Sequence, residues 1–343
     1  MTTNAVHAIV LAAGKGTRMK SDQAKVLHEL FFAPMIHHVL SALEGLDLDR
    51  TVLVTGHQAG TVEQALSGRG LRFARQTEQL GTGHAVLAAA PDLAEATGFA
   101  LILCGDTPLV RRETLSAMID FHRAHGQALT VMTTTVEDPT HYGRVLANPD
   151  GTLSRIVEEK DASPEERMVR EINAGIYCVD LTFLFPALRQ VGTDNRQGEV
   201  YLTDIVAIAN RAGRAVRRFI CPDPVETLGV NSRVELAQAH RVLQERRNRS
   251  LMLAGVSILD PASVCIGMAV QVGRDVRIHS HAVVTGASVL GDGCELEPFV
   301  HLSDCRVPAG ARVASFSRVG PEPSSRKHSH HTPPPQGMAP CPT

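Results

Sequence analysis

Residues 11–28 read LAAGKGTRMKSDQAKVLH. They continue the apolar run Ala8-Ile9-Val10-Leu11, which has the length and composition of a buried strand. The next apolar periodicity is helical and begins only after Lys25. A strand therefore empties into a glycine-bearing loop that carries Lys15, Arg18 and Lys25. Gly14 and Gly16 permit a sharp turn and a close backbone approach to a ligand. Free backbone N–H groups and three cations can replace the water around a polyphosphate. A bare GxG would equally suit an ordinary strand-to-helix loop, and it is the gathering of cations that points to phosphate. Spacing excludes two familiar phosphate motifs. Gly14-Lys15-Gly16-Thr17 is not a P-loop, and Met19 stands where a dinucleotide fingerprint needs its third glycine.

Outward from this loop, short aliphatic runs alternate with amphipathic helical patterns through residue 230. The predicted strands are Ile9-Val10-Leu11, residues 51–54, 100–103 and 129–132; the predicted helices include residues 34–43, 84–90 and 112–125. Such alternation predicts an α/β fold with a mostly parallel, doubly wound sheet. Ligands of such sheets sit beyond the carboxyl ends of the strands. The Gly14 loop and Asp106 each follow a strand, so both are expected at that rim.

Residues 232–254 read as one connecting helix, stopped by Gly255. Beyond it Ile266, Val272, Ile278, Val284, Leu290, Leu296 and Leu302 recur at every sixth position. Small or apolar residues stand two places before each: Val264, Val270, Val276, Ala282, Ser288, Cys294 and Val300. This is the hexapeptide repeat of a short left-handed parallel β-helix, in which aliphatics of successive coils stack. The repeat is expected to end near Leu302, after little more than two coils, because Pro308 falls on the next aliphatic position. Residues 320–343 are too rich in Pro, Ser and His to pack a core and are expected to be a disordered tail. The expected organisation is residues 1–231, a linker helix 232–254, a β-helix 255–319 and that tail.

The chain has 343 residues, long for a single core, with 43% hydrophobic and 20% charged residues and a net charge of −2. That balance argues against nucleic acid as a partner. No apolar run is long enough to cross a membrane, and the N-terminus lacks the basic region of a signal peptide. The 7 cysteines are scattered without CxxC spacing, several inside strand-like runs, which suits small buried hydrophobes in a reducing cytoplasm.

The loop resembles the signature L-A-x-G-x-G-T-R-[ML] of the sugar-nucleotide pyrophosphorylases. Further stretches resemble that family's motifs in its order: residues 76–84 (QTEQLGTGH), 105–109 (GDTPL), Tyr142-Gly143-Arg144, residues 171–175 (EINAG) and Gly229-Val230-Asn231. The resemblance is greatest to the bacterial uridylyltransferases acting on N-acetylglucosamine 1-phosphate. It implies a Rossmann-like nucleotidyltransferase sheet, UTP and N-acetylglucosamine 1-phosphate as substrates, Mg2+ as cofactor and a homotrimer through the β-helix. Glucose 1-phosphate with UTP or dTTP, or a non-catalytic sugar-nucleotide scaffold, are the competing readings.

Joining a sugar 1-phosphate to a nucleoside triphosphate needs no general base, since the nucleophile is already anionic. It needs two polyanions held together and charge stabilised on the departing pyrophosphate. Arg18, Lys15 and Lys25 are the cations available. The resemblance places Leu11, Ala12, Ala13, Gly14, Lys25, Gln76, Gly81 and Thr82 around the nucleotide, with Gln76 reading the uracil. Cys104, Gly105 and Asp106 would follow at the rim, and Gly143, Glu158 and Asn173 would line the sugar pocket. Asp106 and Asn231 would hold the metal; on its own, Asp106 equally suits a helix cap. The run Glu158-Glu159-Lys160-Asp161 on its own equally suits a solvated loop. Two positions depart from the family pattern. Cys104 replaces a frequent tyrosine, and Thr227-Leu228 replaces a usual acid before Gly229-Val230-Asn231. In longer members further coils carry an acetyl-CoA-dependent acetyltransferase. His279, His281 and His301 match no motif of it, so that activity is not expected here.

Overall fold

A computed structural model describes residues 5–148 and 152–320. The expected tail lies, from residue 321 on, outside the described residues. Contacts divide the chain into two compact units, Met1–Leu243 and Gln244–Thr343.

The first unit is built on β1 (Val6–Ala12), a small hairpin β2 (Glu29–Leu30) and β3 (Ala33–Pro34), then β4 (Arg50–Thr55), β5 (Arg72–Arg75), β6 (Phe99–Cys104) and β7 (Leu129–Thr135). After these come β8 (Arg144–Ala147), β9 (Leu153–Val157), β10 (Glu171–Asp180) and β11 (Val216–Ile220). The main sheet runs β11-β7-β10-β6-β1-β4-β5, with the β8–β9 hairpin attached to β10. All the pairs on that path are parallel except those of β10, which runs antiparallel to both β6 and β7. Side-chain alternation has the same period in both strand directions, so patterning alone could not reveal the reversal.

Successive residues of β1 enter different cores. Ile9 joins one face, while Ala8 and Val10 join the other. The first face is covered by α3 (Thr82–Ala88), α6 (Leu181–Leu188) and α7 (Ile205–Arg211) through Val86, Leu184 and Ile205, the short α5 (Pro164–Arg167) lying between β9 and β10 in the chain. The other is covered by α1 (Met35–Leu43), α2 (Ala59–Ala65) and α4 (Arg112–His125) through Val39, Val62 and Met118. Helices on both faces make the sheet doubly wound. The strand order reverses at β1, which lies between β4 and β6, and such a switch point opens a crevice at the strands' carboxyl ends.

The long helix α8 (Arg233–Leu253) begins in the first unit and ends in the second. Within the second unit, Gln244 and Asn248 on its last turns donate to the carbonyls of Pro261 and Val264 at 2.8–3.4 Å, closing off the first coil. Strands of two or three residues then stack in three parallel columns. One joins Ser257–Ile258, Arg277–Ile278, Glu295–Leu296 and Arg312–Val313; another joins Cys265–Ile266, Val283–Thr285, His301–Ser303 and Arg318–Val319. The third joins Gln271–Val272, Val289–Leu290 and Arg306–Val307. This is a parallel β-helix whose interior is the predicted aliphatic row, with Ile266, Ile278, Val284 and Leu296 wholly buried.

The expected end near Leu302 is wrong. Val289 pairs with Arg306 and His301 with Arg318, each one residue closer in sequence than the equivalent pairs of the preceding coil. A single missing residue moves Val307, not Pro308, into the inward place, and the coils continue to Val319. A strict six-residue count loses the repeat at that point. The six described cysteines are free thiols.

Candidate active site

Because β1 lies between β4 and β6, the loops that follow these three strands meet at one rim. The Gly105 N–H donates to Leu11 O at 2.8 Å, and the His57 N–H donates to Ala13 O at 3.1 Å. The loops enclose a cleft of about 190 Å3 lined by Leu11, Ala12, Gly14, Gly16, Thr17, Arg18, Lys25, Val26, Asp106 and Asn231. Of the three predicted cations, Arg18 and Lys25 line it, whereas Lys15 is exposed beside it and is not part of the lining.

Lys25 is the centre of the arrangement. Its side chain is only 11% exposed, and its ammonium donates to Asp106 Oδ2 and, at 2.6 Å, to Asn231 Oδ1. Three chain segments far apart in sequence thus converge on one cation. The two glycines of the loop serve different ends. Gly16 stands at φ 60°, and a Cβ there would lie 2.6 Å from Lys25 Cβ, so the lysine stem crosses the space glycine leaves. Gly14 has no neighbour within 4 Å of where a Cβ would be, which leaves its backbone open to the cleft.

Asp106 and Asn231 are held by their backbones, leaving their side chains to face the cleft. Val230 N–H donates to Asp106 O at 2.8 Å. Ser232 and Glu235 form a reciprocal cap at the start of α8, and Glu235 Oε2 also accepts from Asn231 N–H at 2.6 Å. Gly229 N–H donates to the Tyr142 hydroxyl at 3.3 Å. Burial raises the Tyr142 pKa, and the carboxylates of Glu235 and Asp106 add to it, so the hydroxyl stays protonated. The departure at Thr227 leaves no polar group stranded. Its hydroxyl donates to Pro224 O at 2.9 Å, while the adjacent Glu226 accepts from Arg111 N–H at 3.0 Å.

The donor set suits a hard divalent ion. One carboxylate oxygen and one amide oxygen both touch a single ammonium, so one cation can reach both. Among the described residues no cluster of three His, Cys, Asp or Glu forms a competing metal site.

The residues expected to read base and sugar are differently disposed. Gln76 is buried, and its amide nitrogen donates to Gly81 O at 3.0 Å and lies 3.1 Å from His84 Nδ1. Gly81 turns at φ 109° against Val200, and the Thr82 hydroxyl accepts from Leu202 N–H at 3.0 Å. Asn173 braces an irregularity in β10, donating to the Tyr177 hydroxyl at 2.7 Å and accepting from Gly175 N–H at 3.0 Å. Gly143 O accepts from Asn173 N–H at 2.9 Å. Glu158 accepts from the Thr203 hydroxyl at 3.1 Å. Its carboxyl pKa is raised, chiefly by burial and further by Asp204, Asp161 and Glu199, against the lowering effect of Thr203. Cys104 lies 3.8 Å from Gly175 O, and burial followed by the Asp106 charge pushes its thiol up to about 12. It is therefore a neutral filler, not a nucleophile.

The sequence offers Tyr142 only as part of the Tyr142-Gly143-Arg144 motif and does not mark it or Glu235 as a site residue. Glu235 had a signal, since Ser232-x-x-Glu235 is a capping-box pattern directly after Asn231.

A family model described as a MobA-like NTP transferase domain matches residues 8–252. A protein of Desulfotalea psychrophila named bifunctional protein GlmU is 45% identical over 314 residues, 92% of this chain and 93% of that protein. The Geobacter metallireducens protein of that name is 53% identical over 291 residues, 84% of this chain but 61% of its own length. That of Pelobacter propionicus is 49% identical over 313 residues, 91% of this chain and 68% of its own length. The chain thus spans nearly the whole of one relative and about two thirds of the others. By that domain match and these alignments the chain belongs to the MobA-like NTP transferases, among the GlmU proteins.

Proposed function

We propose that the chain transfers UMP from UTP to N-acetylglucosamine 1-phosphate, giving UDP-N-acetylglucosamine and pyrophosphate. The observation that carries this reading is the Lys25 ammonium held between Asp106 and Asn231 beneath the Gly14–Arg18 loop. An oxygen of the sugar phosphate attacks the α-phosphorus of UTP; a P–O bond forms there as the bond to the bridging oxygen breaks and pyrophosphate leaves. Arg18 and Lys15 take up charge on the leaving group, and the Gly14 backbone approaches the triphosphate. Lys25 compensates the sugar phosphate or the α-phosphate. Asp106 and Asn231 would hold Mg2+, which would supply positive charge to offset that of the phosphates. Glu158 would accept from sugar hydroxyls, with Gly143 and Asn173 shaping that pocket. Gln76, Gly81 and Thr82 would form the base pocket as a rigid loop, with Gln76 building its wall.

In this reading residues 1–231 are the catalytic domain, 232–254 a linker helix and 255–319 an assembly module for a homotrimer in the cytoplasm. A coupled pyrophosphate assay over a panel of sugar 1-phosphates and nucleoside triphosphates tests the function. Turnover is expected with UTP and N-acetylglucosamine 1-phosphate and is expected to vanish on chelation of divalent ions. Turnover confined to glucose 1-phosphate, or undiminished by chelation, overturns it.

A further inference from the structure

Gln58 is exposed, yet its backbone stands in the left-handed region at φ 54° and ψ 37°. A residue with a Cβ seldom adopts that conformation without compensation. Here both ends of the side chain are engaged. Gln58 Oε1 accepts from Ala24 N–H at 2.9 Å, and its Nε2 donates to Asp22 O. The backbone beside it is seated on the phosphate loop. Gly56 packs so closely on Ala13 that a Cβ there would lie 2.8 Å from Ala13 Cβ. A strained residue from the loop after β4 thus grips two peptide groups of the segment that leads into Lys25.

We propose that Gln58 is a positioning residue for Lys25, a clamp whose strained backbone is maintained for the two bonds it allows. The proposal rests on the role given to Lys25 above. Ala24 immediately precedes the single turn Lys25–Leu27, and the Lys25 stem must also pass Gly16. Releasing residues 22–24 therefore frees the origin of the side chain whose ammonium lies between Asp106 and Asn231.

The test compares wild type with Gln58→Gly and Gln58→Glu. Glycine accepts φ 54° without strain, and that relief offsets the lost hydrogen bonds, so Gln58→Gly should melt within about 2 °C of wild type. At the same time, amide exchange at Ala24 should accelerate and kcat/KM for UTP should fall by about three- to tenfold, the worth of one or two neutral hydrogen bonds. Gln58→Glu keeps the acceptor for Ala24 and loses the donor to Asp22, so its kcat/KM should fall between the two. A merely structural residue would lose stability and activity together. Unchanged exchange at Ala24 in Gln58→Gly overturns the clamp. Faster exchange with unchanged kcat/KM overturns its role toward Lys25. Failure of the wild type to form any sugar nucleotide is a separate outcome, and it overturns the proposed function together with the role of Lys25.

Discussion

The phosphate-facing rim and the residues proposed to recognise base and sugar are built on opposite plans. At the rim, side chains from three distant segments turn toward one point, and their backbones supply the support: Asp106 O and the N–H groups of Gly229, Val230 and Asn231 are all hydrogen-bonded. On the recognition side, Gln76, Thr82 and Asn173 spend their side chains on nearby backbone and hydroxyl groups. Charge is gathered by side chains on a fixed frame, while shape is made by side chains that are themselves the frame. Losing a side chain at the rim should therefore cost chemistry with little stability, and the reverse should hold for Gln76, Thr82 and Asn173.

The largest expected effect breaks the rim. Asp106→Ala should lower kcat by about 10²- to 10³-fold, the usual effect of deleting one preorganised charged group. Its melting temperature should stay within about 2 °C of wild type, because Val230 bonds to the backbone carbonyl that alanine keeps. Retention of a tenth of the activity would remove the distinction drawn here.

Glu158→Gln sharpens the comparison from the other side and should raise KM for the sugar phosphate about tenfold, the worth of a hydrogen bond to a charged acceptor. The folded state raises the Glu158 pKa above its unfolded value. In the window between those two values the folded protein holds the proton and the unfolded chain does not, so stability falls as pH rises through it. The glutamine variant lacks that cost and should melt higher than wild type at neutral pH. Wild-type KM should also climb as pH falls through the raised value, while the variant's stays flat. Parallel pH profiles for the two would show that Glu158 does not meet the sugar.

The smallest effect concerns Tyr142, which adjoins Gly143 and whose hydroxyl receives Gly229 N–H. Tyr142→Phe should reduce kcat/KM about threefold, equivalent to about 0.7 kcal/mol for one weak neutral hydrogen bond. It should do so by weakening the response to divalent ion without shifting KM for the sugar phosphate. Titration of activity against Mg2+ separates these outcomes.

Much of this was legible in residue order. Helix 112–125 was placed at its observed limits, and the strands before Gly14 and Gly105 ended where the chemistry needed them. Those features are local, set by apolar period and punctuation. What escaped reading is non-local or conformational. The reversed direction of β10 leaves no trace in a two-residue period, and one residue missing after Leu302 defeated a count in sixes. Gln58 carried no signal, because nothing in His57-Gln58-Ala59 announces a left-handed backbone or a partner at Asp22.

The passage of the Lys25 stem across Gly16 ties two positions into one steric unit. Even a methyl group on the earlier residue would displace the later one's reach. A side chain at position 16 is thus excluded by a lysine nine places downstream, and an engineer varying either must vary both or neither.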